Sequence, residues 1–332
     1  VIKPTEVGAK AWLRELVEGW DHFWFTPRQP HTLAVIRIFC GGMLAYVHLV
    51  WACVVNDYMG PNAWVTADVV RQLHRNDWGW SWLWYVENPS LLFVHQLIAV
   101  AVSLMMMVGC LTRISTAVAW WLTLMVCHRL TGALFGLDQV VVMLSTYLMF
   151  SRCGSVLSVD AWLRNRFPGR RLFPAESPSI SNNVATRLIQ LHLCVIYLFG
   201  GLSKMRGEMW FDGSAMWYTA VNYEYQSMDI TWLGQFPFLI AALTAGTIFW
   251  ETFYCALVWP RLTRPLTLLA ALFVHGGIAL ALGMVTFGTI MIVANMAFIE
   301  PRFFLSLKSR VSRKTVVGSK SHRNISGARS IK

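Results

Sequence analysis

The stretch VIYLFGGLSKMRGEMWFDGSAMWY, residues 195–218, decides the reading of this chain, because an apolar helix runs into Lys204 and then into an aromatic-rich loop. Arg187, Gln190, Cys194, Tyr197, Gly201 and Lys204 step by three and four residues, so they share one helix face. Ionisable groups in hydrocarbon are costly and point to a bundle interior or a wet cavity, and the stripe therefore predicts a helix buried along one side. Lys204 closes the stripe, either as a cation that snorkels to the headgroups or as a group with an active role.

Outward from that helix, composition sets the class. With 56% hydrophobic residues, 14% charged and a mean hydropathy of +0.48 over 332 residues, the chain reads as all-α, a polytopic integral membrane helix bundle. Seventeen Trp and nineteen Phe suit aromatic belts at two membrane interfaces. The +11 charge does not imply nucleic acid, because nine of the 28 Lys and Arg fall after Pro301 in a tail without an acidic residue. Seven Cys without a CxxC, and nine His without ligand spacing inside a helix, predict neither a disulfide framework nor a metal site.

Eight spanning helices are predicted, roughly at 32–54, 91–112, 114–130, 135–151, 184–204, 237–259, 265–284 and 286–300, each near the ~20 residues that hydrocarbon demands. Ahead of them, residues 11–25 place Trp12, Leu13, Leu16, Val17, Trp20, Phe23 and Trp24 opposite Arg14, Glu15, Glu18 and Asp21, the pattern of an interfacial amphipathic helix. Three regions follow: an N-terminal segment, 1–31; a transmembrane bundle, 32–305; and a basic tail, 306–332, with the composition of disorder. The tail and the Arg-rich loop at 160–173 are expected to meet anionic lipid headgroups. Counting Lys and Arg on alternate sides gives seventeen against five, which predicts cytoplasmic termini and a loop after Lys204 on the outer side; the expected setting is a bacterial inner membrane.

Depth along the helices, at about 1.5 Å per residue, sorts the intramembrane polar groups into two layers. The inner layer holds Arg37, Arg187 and Glu251, read as structural ion pairs because a buried acid needs a cation nearby. The outer layer holds His48, His95, His128, Arg129, Asp138, Gln139 and Lys204, with His275 close to the midplane, and their convergence on one leaflet predicts a site. Outer aromatics, among them Trp64, Trp78, Trp80, Trp82, Trp84, Trp210 and Tyr218, form either an interfacial girdle or a cap over a pocket.

The segments RLIQLHLCVIYLFGGLSKMRGEMWFDGSAMWY, FGLDQVVVMLSTYLMF, SVDAWLRNR and HGGIALALGMVTFGTIMIVANMAF together resemble the HTTM domain, the membrane part shared with vitamin K-dependent gamma-glutamyl carboxylases, over about residues 18–305. The most specific piece is the order Tyr197, Gly200, Gly201, Lys204, Trp210 and Gly213. The resemblance implies Lys204 as a catalytic base and a quinol or quinone as the small molecule; Tyr197, Gly200, Gly201 and Trp210 beside it, and His275 and Asp138 from the outer layer, are the expected substrate-binding residues. A quinol is lipid-soluble, so a site open sideways to the outer leaflet suits it. The carboxylases carry two adjacent lysines where this chain reads Ser203-Lys204, and they append a large extramembrane domain, which argues against carboxylation of peptide glutamate. Three readings follow: a quinol-using or lipid-modifying enzyme centred on Lys204, a non-catalytic scaffold that meets other membrane-protein subunits, and a transporter. Transport is disfavoured because no inverted repeat or pair of broken helices is evident.

Overall fold

The computed structural model describes residues 9–168 and 175–306, which are mostly helical and contain no strand beyond one isolated bridge between Arg28 and Ser179. The basic tail falls almost wholly outside the described residues, as do 1–8 and the end of the Arg-rich loop, 169–174. The longer helices are α1 (Ala9–Phe25), α2 (His31–Cys53), α3 (Pro89–Val108), α4 (Thr112–Arg129), α5 (Gly136–Met149), α6 (Ile180–Lys204), α7 (Pro237–Leu257), α8 (Arg264–Ala281) and α9 (Val285–Asn295).

A helix stands at each of the eight predicted places. Five of them, α2, α3, α6, α7 and α8, are long and apolar enough to cross a membrane, while α5 and α9 are shorter apolar helices. The chain is a multi-pass membrane helix bundle, and its spanning helices expose large apolar side chains such as Phe238, Leu266 and Phe273, as lipid contact requires. Start signals are local: Asn88 caps Ser90 with Pro89 at the first position of α3, and Ser179 caps Asn182 at the start of α6.

Antiparallel neighbours pack in sequence, α2 on α3, α3 on α4, α4 on α5, α6 on α7 and α8 on α9, while α5 and α9 bridge the two groups. The main core lies between them, with Ile36, Leu44, Leu144, Ile189, Tyr254 and Ile290. At the end where α3 stops, Gly109 takes φ +71°, and a Cβ there would collide with the Arg37 guanidinium, so only glycine fits. Arg37 itself is fully buried and donates through Nη2 to Leu157 O at 2.5 Å, binding α2 to the segment after α5.

A helix forms over the amphipathic stretch, and Trp12, Leu13, Leu16, Val17 and Trp20 are all exposed on it. Its last carbonyls have no partners within the helix, and α6 supplies them: Asn183 Nδ2 donates to Phe23 O and Trp24 O, and Arg187 Nε donates to Phe23 O at 3.2 Å.

Candidate functional site

After Lys204 the chain builds a cap over 205–236 from two short helices, Glu208–Phe211 and Ala215–Ala220, and a 3-10 turn, Thr231–Gln235. Its hydrogen bonds are made to the ends of two long helices. Met216 N donates to Thr244 Oγ1 in α7, and Ser227 N and Oγ donate to Ala281 O and Leu280 O at the end of α8. The first turns of α7 thus stand beside the cap, past the end of α6.

That offset sets the chemistry. Glu251 is fourteen residues into α7, about 21 Å along it, yet its Oε2 sits 2.6 Å from Lys204 Nζ. The side chains are 26% and 12% exposed, Lys204 the more open. Gly200 and Gly201 leave room for the pair: a Cβ on Gly200 would stand 3.3 Å from Glu251 Oε2, and one on Gly201 would stand 2.8 Å from Thr252 N. The Lys204 amine also lies 5.4 Å from the Trp210 ring centre, a cation–π distance. Trp210 in turn borders a cleft of about 310 Å³ in the cap, with Met209, Tyr218, Asn222, Tyr225 and Leu282.

Two turns deeper on α6, Tyr197 shares a closed polar network. Its hydroxyl lies 2.7 Å from His275 Nε2 and accepts from Asn295 Nδ2 at 2.8 Å, while Tyr254 donates to Asn295 Oδ1 at 2.6 Å. The rings of Tyr197 and Tyr254 approach to 4.1 Å, and Trp250 meets Tyr197 edge-on at 4.9 Å. His275 Nδ1 is buried without a hydrogen-bond partner among the described residues. Neither Tyr254 nor Asn295 was singled out from the sequence. Asn295 did leave a signal, as an amide within the apolar run of α9.

Several expectations need correction. Glu251 is not the partner of Arg37 or Arg187. Arg37 bonds a backbone carbonyl, and Arg187 stacks on Phe23 at 4.2 Å and donates to Gln190 Oε1, about 25 Å along α6 from Lys204. The depth count failed because it assumed that α6 and α7 end at one level. Asp138 makes no hydrogen bond or ion pair with Lys204; it accepts from Phe135 N at 3.0 Å and caps its own helix.

The remaining outer-layer groups also act apart. His48 is bonded between Gln96 and Thr123, Arg129 donates to Met59 O and Val65 O, and His128 engages the backbone of Trp80. A shared depth does not give a shared direction around the bundle. Among the described residues no group of three His, Cys, Asp or Glu is placed to hold a metal.

The HTTM domain model matches residues 25–303, nearly the whole chain and all of this site. The chain belongs to the HTTM domain family. It is also 23% identical, over 228 residues, to the uncharacterized protein YitO of Bacillus subtilis (strain 168), a match that covers 65% of this chain and 69% of that one. No solved structure matches. The HTTM match takes in both faces of the bundle end just described, Lys204 on α6 and Glu251 on α7.

Proposed function

We propose that this HTTM bundle binds a flat, lipid-soluble molecule of the quinol class beside Lys204 and moves a proton at its hydroxyl. The observation that carries the reading is the half-buried Lys204–Glu251 pair at 2.6 Å, packed over Gly200 and beside Trp210. An ion pair taken out of water is poor value for stability alone and is a functional-site candidate by default within a membrane. Along so short a bond the proton can pass from Nζ to Oε2, which leaves a neutral amine next to a protonated carboxyl. The amine then takes the hydroxyl proton of the ligand, and the resulting anion stays beside the ammonium. Trp210 and the cap aromatics offer stacking surfaces.

The charge asymmetry between loops supports an outward-facing cap in a bacterial inner membrane, with cytoplasmic termini. The ligand would then enter from the outer leaflet.

A second reading has its own support. The same pair fastens α6 to α7 at the point where Gly201 lies against Thr252, as a scaffold within a larger membrane complex would require. The test is native mass spectrometry of the detergent-purified chain with decylubiquinol as the probe. The double variant Lys204→Met/Glu251→Leu removes both charges and should fold, because neither partner is left buried alone. Loss of the bound quinol in that folded variant is the expected result. Equal quinol binding by wild type and variant, or none by either, leaves the scaffold reading in place.

A further inference from the structure

A cavity of about 550 Å³ opens at the other end of the bundle, bordered by the end of α1, the start of α6, the turn from α7 to α8 and the chain after α9. Its volume is within the ~300–1,000 Å³ of small-molecule sites. Five arginines line it, Arg28, Arg187, Arg261, Arg264 and Arg302, against the single carboxylate of Glu300, which forms no ion pair with them among the described residues.

The five differ in what holds them. Arg264 is held by Val258 O and Trp259 O, and Arg187 by Phe23 O, the Phe23 ring and Gln190. Arg28 reaches Ile299 O at 3.3 Å with one nitrogen, while its buried Nε has no hydrogen-bond partner among the described residues. Burial, and after it the neighbouring cation Arg187, pushes the pKa of the Arg28 guanidinium down to about 10, with Glu300 opposing the shift. Arg261 and Arg302 are exposed and make no side-chain hydrogen bond among the described residues. Trp259 and Phe298 complete the wall with apolar surface.

The surroundings define the missing partner. Guanidinium forks match phosphate oxygens two at a time, and basic pockets between membrane helices hold phospholipid headgroups. Here the cavity adjoins the end of α1, whose exposed Trp12, Leu16 and Trp20 place that helix in the headgroup layer. We infer that this cavity is a binding site for a phosphate-bearing anion, supplied by the headgroup of an anionic phospholipid. The site is separate from the Lys204–Glu251 pair and stands whether or not that pair is catalytic.

Native mass spectrometry of the full chain in detergent tests it, with phosphatidylglycerol and phosphatidylcholine of matched acyl chains as probes and inorganic pyrophosphate as a soluble competitor. Phosphatidylglycerol should be retained about tenfold better than phosphatidylcholine, and Arg261→Gln/Arg302→Gln should remove most of that preference. Among the described residues those two side chains make no hydrogen bond or ion pair, so the variant should melt as wild type does. Arg28→Gln should weaken retention further, and the mouth variant decides the matter if Arg28→Gln does not fold. Pyrophosphate binding that depends on the same arginines, without a lipid preference, supports the anion site and assigns its source to a soluble phosphate. Equal retention of both lipids with no pyrophosphate binding, or retention untouched by the mouth variant in a folded protein, overturns the site.

Discussion

Lys204 and Glu251 stabilise each other's charge in a setting where either alone would be costly. Removing one partner strands the other, and the loss should be larger for Lys204→Met, which leaves the more buried carboxylate behind. A loss near 3 kcal/mol is expected, the low end for a buried pair, because Lys204 keeps a quarter of its side chain exposed. Thermal melts of both single variants and of the double variant form a cycle that measures the coupling; additive losses would show that the pair holds nothing. Asp77, Asp212 and Asp229 make a different residue-scale case. Each is held below its ordinary range by bonds its ionised oxygens accept, chiefly from Gly79 N, from the Ser214 hydroxyl and from the Thr231 hydroxyl. Depressed carboxylates stabilise the fold above their unfolded value and lose that effect as pH falls through the folded one. Amide protection factors in the loops around Trp78 and the cap, which correct for the pH dependence of intrinsic exchange, should therefore fall below about pH 4, while those in α2 stay unchanged.

The contact between α6 and α7 is set by one glycine. A Cβ on Gly201 would stand 2.4 Å from Thr252 Oγ1 and 2.8 Å from its backbone nitrogen, and a backbone atom cannot step aside. Gly201→Ala should thus force the helices apart, cost about 1–3 kcal/mol and lengthen the Lys204–Glu251 bond. Gly246, on the same α7, has nothing within 4 Å of such a Cβ. Gly246→Ala should be neutral or gain up to about 1 kcal/mol from helix propensity. Equal melting temperatures for the two variants would mean that the close approach does not fix the register. The cap acts on the same element, because its bonds to Thr244 and to the end of α8 hold the first turns of α7 beyond the end of α6.

Across the whole molecule, the two ends of the bundle differ in kind. One carries the aromatic cap and the Lys204–Glu251 pair, the other the arginine cavity and the interfacial helix. The orientation proposed from the charge count has the cap outside. Single cysteines introduced at Met209 and at Ser306 on a cysteine-free background should therefore label from opposite sides of intact cells, Met209 from outside. Labelling of Ser306 from outside, with Met209 protected, would invert the orientation.

Much of this was legible in sequence because its causes are local. Apolar runs of membrane length, the split face of residues 11–25 and the three-and-four stripe that ends in Lys204 each depend on neighbours within one helix. These determined the membrane bundle and its amphipathic N-terminal helix and pointed to Lys204, and the order from Tyr197 to Gly213 carried the HTTM resemblance. Tertiary structure alone decided which acid meets that lysine. The relative height of α6 and α7 is set by Gly201 packing on Thr252 and by the cap, and the direction of each side chain around the bundle is set by packing; neither is written in the spacing along one strand of sequence. That is why Glu251 moved from Arg37 and Arg187 to Lys204, why Asp138 stayed with its own helix, and why Asn295 and Tyr254 joined Tyr197 and His275 from segments far apart in the chain.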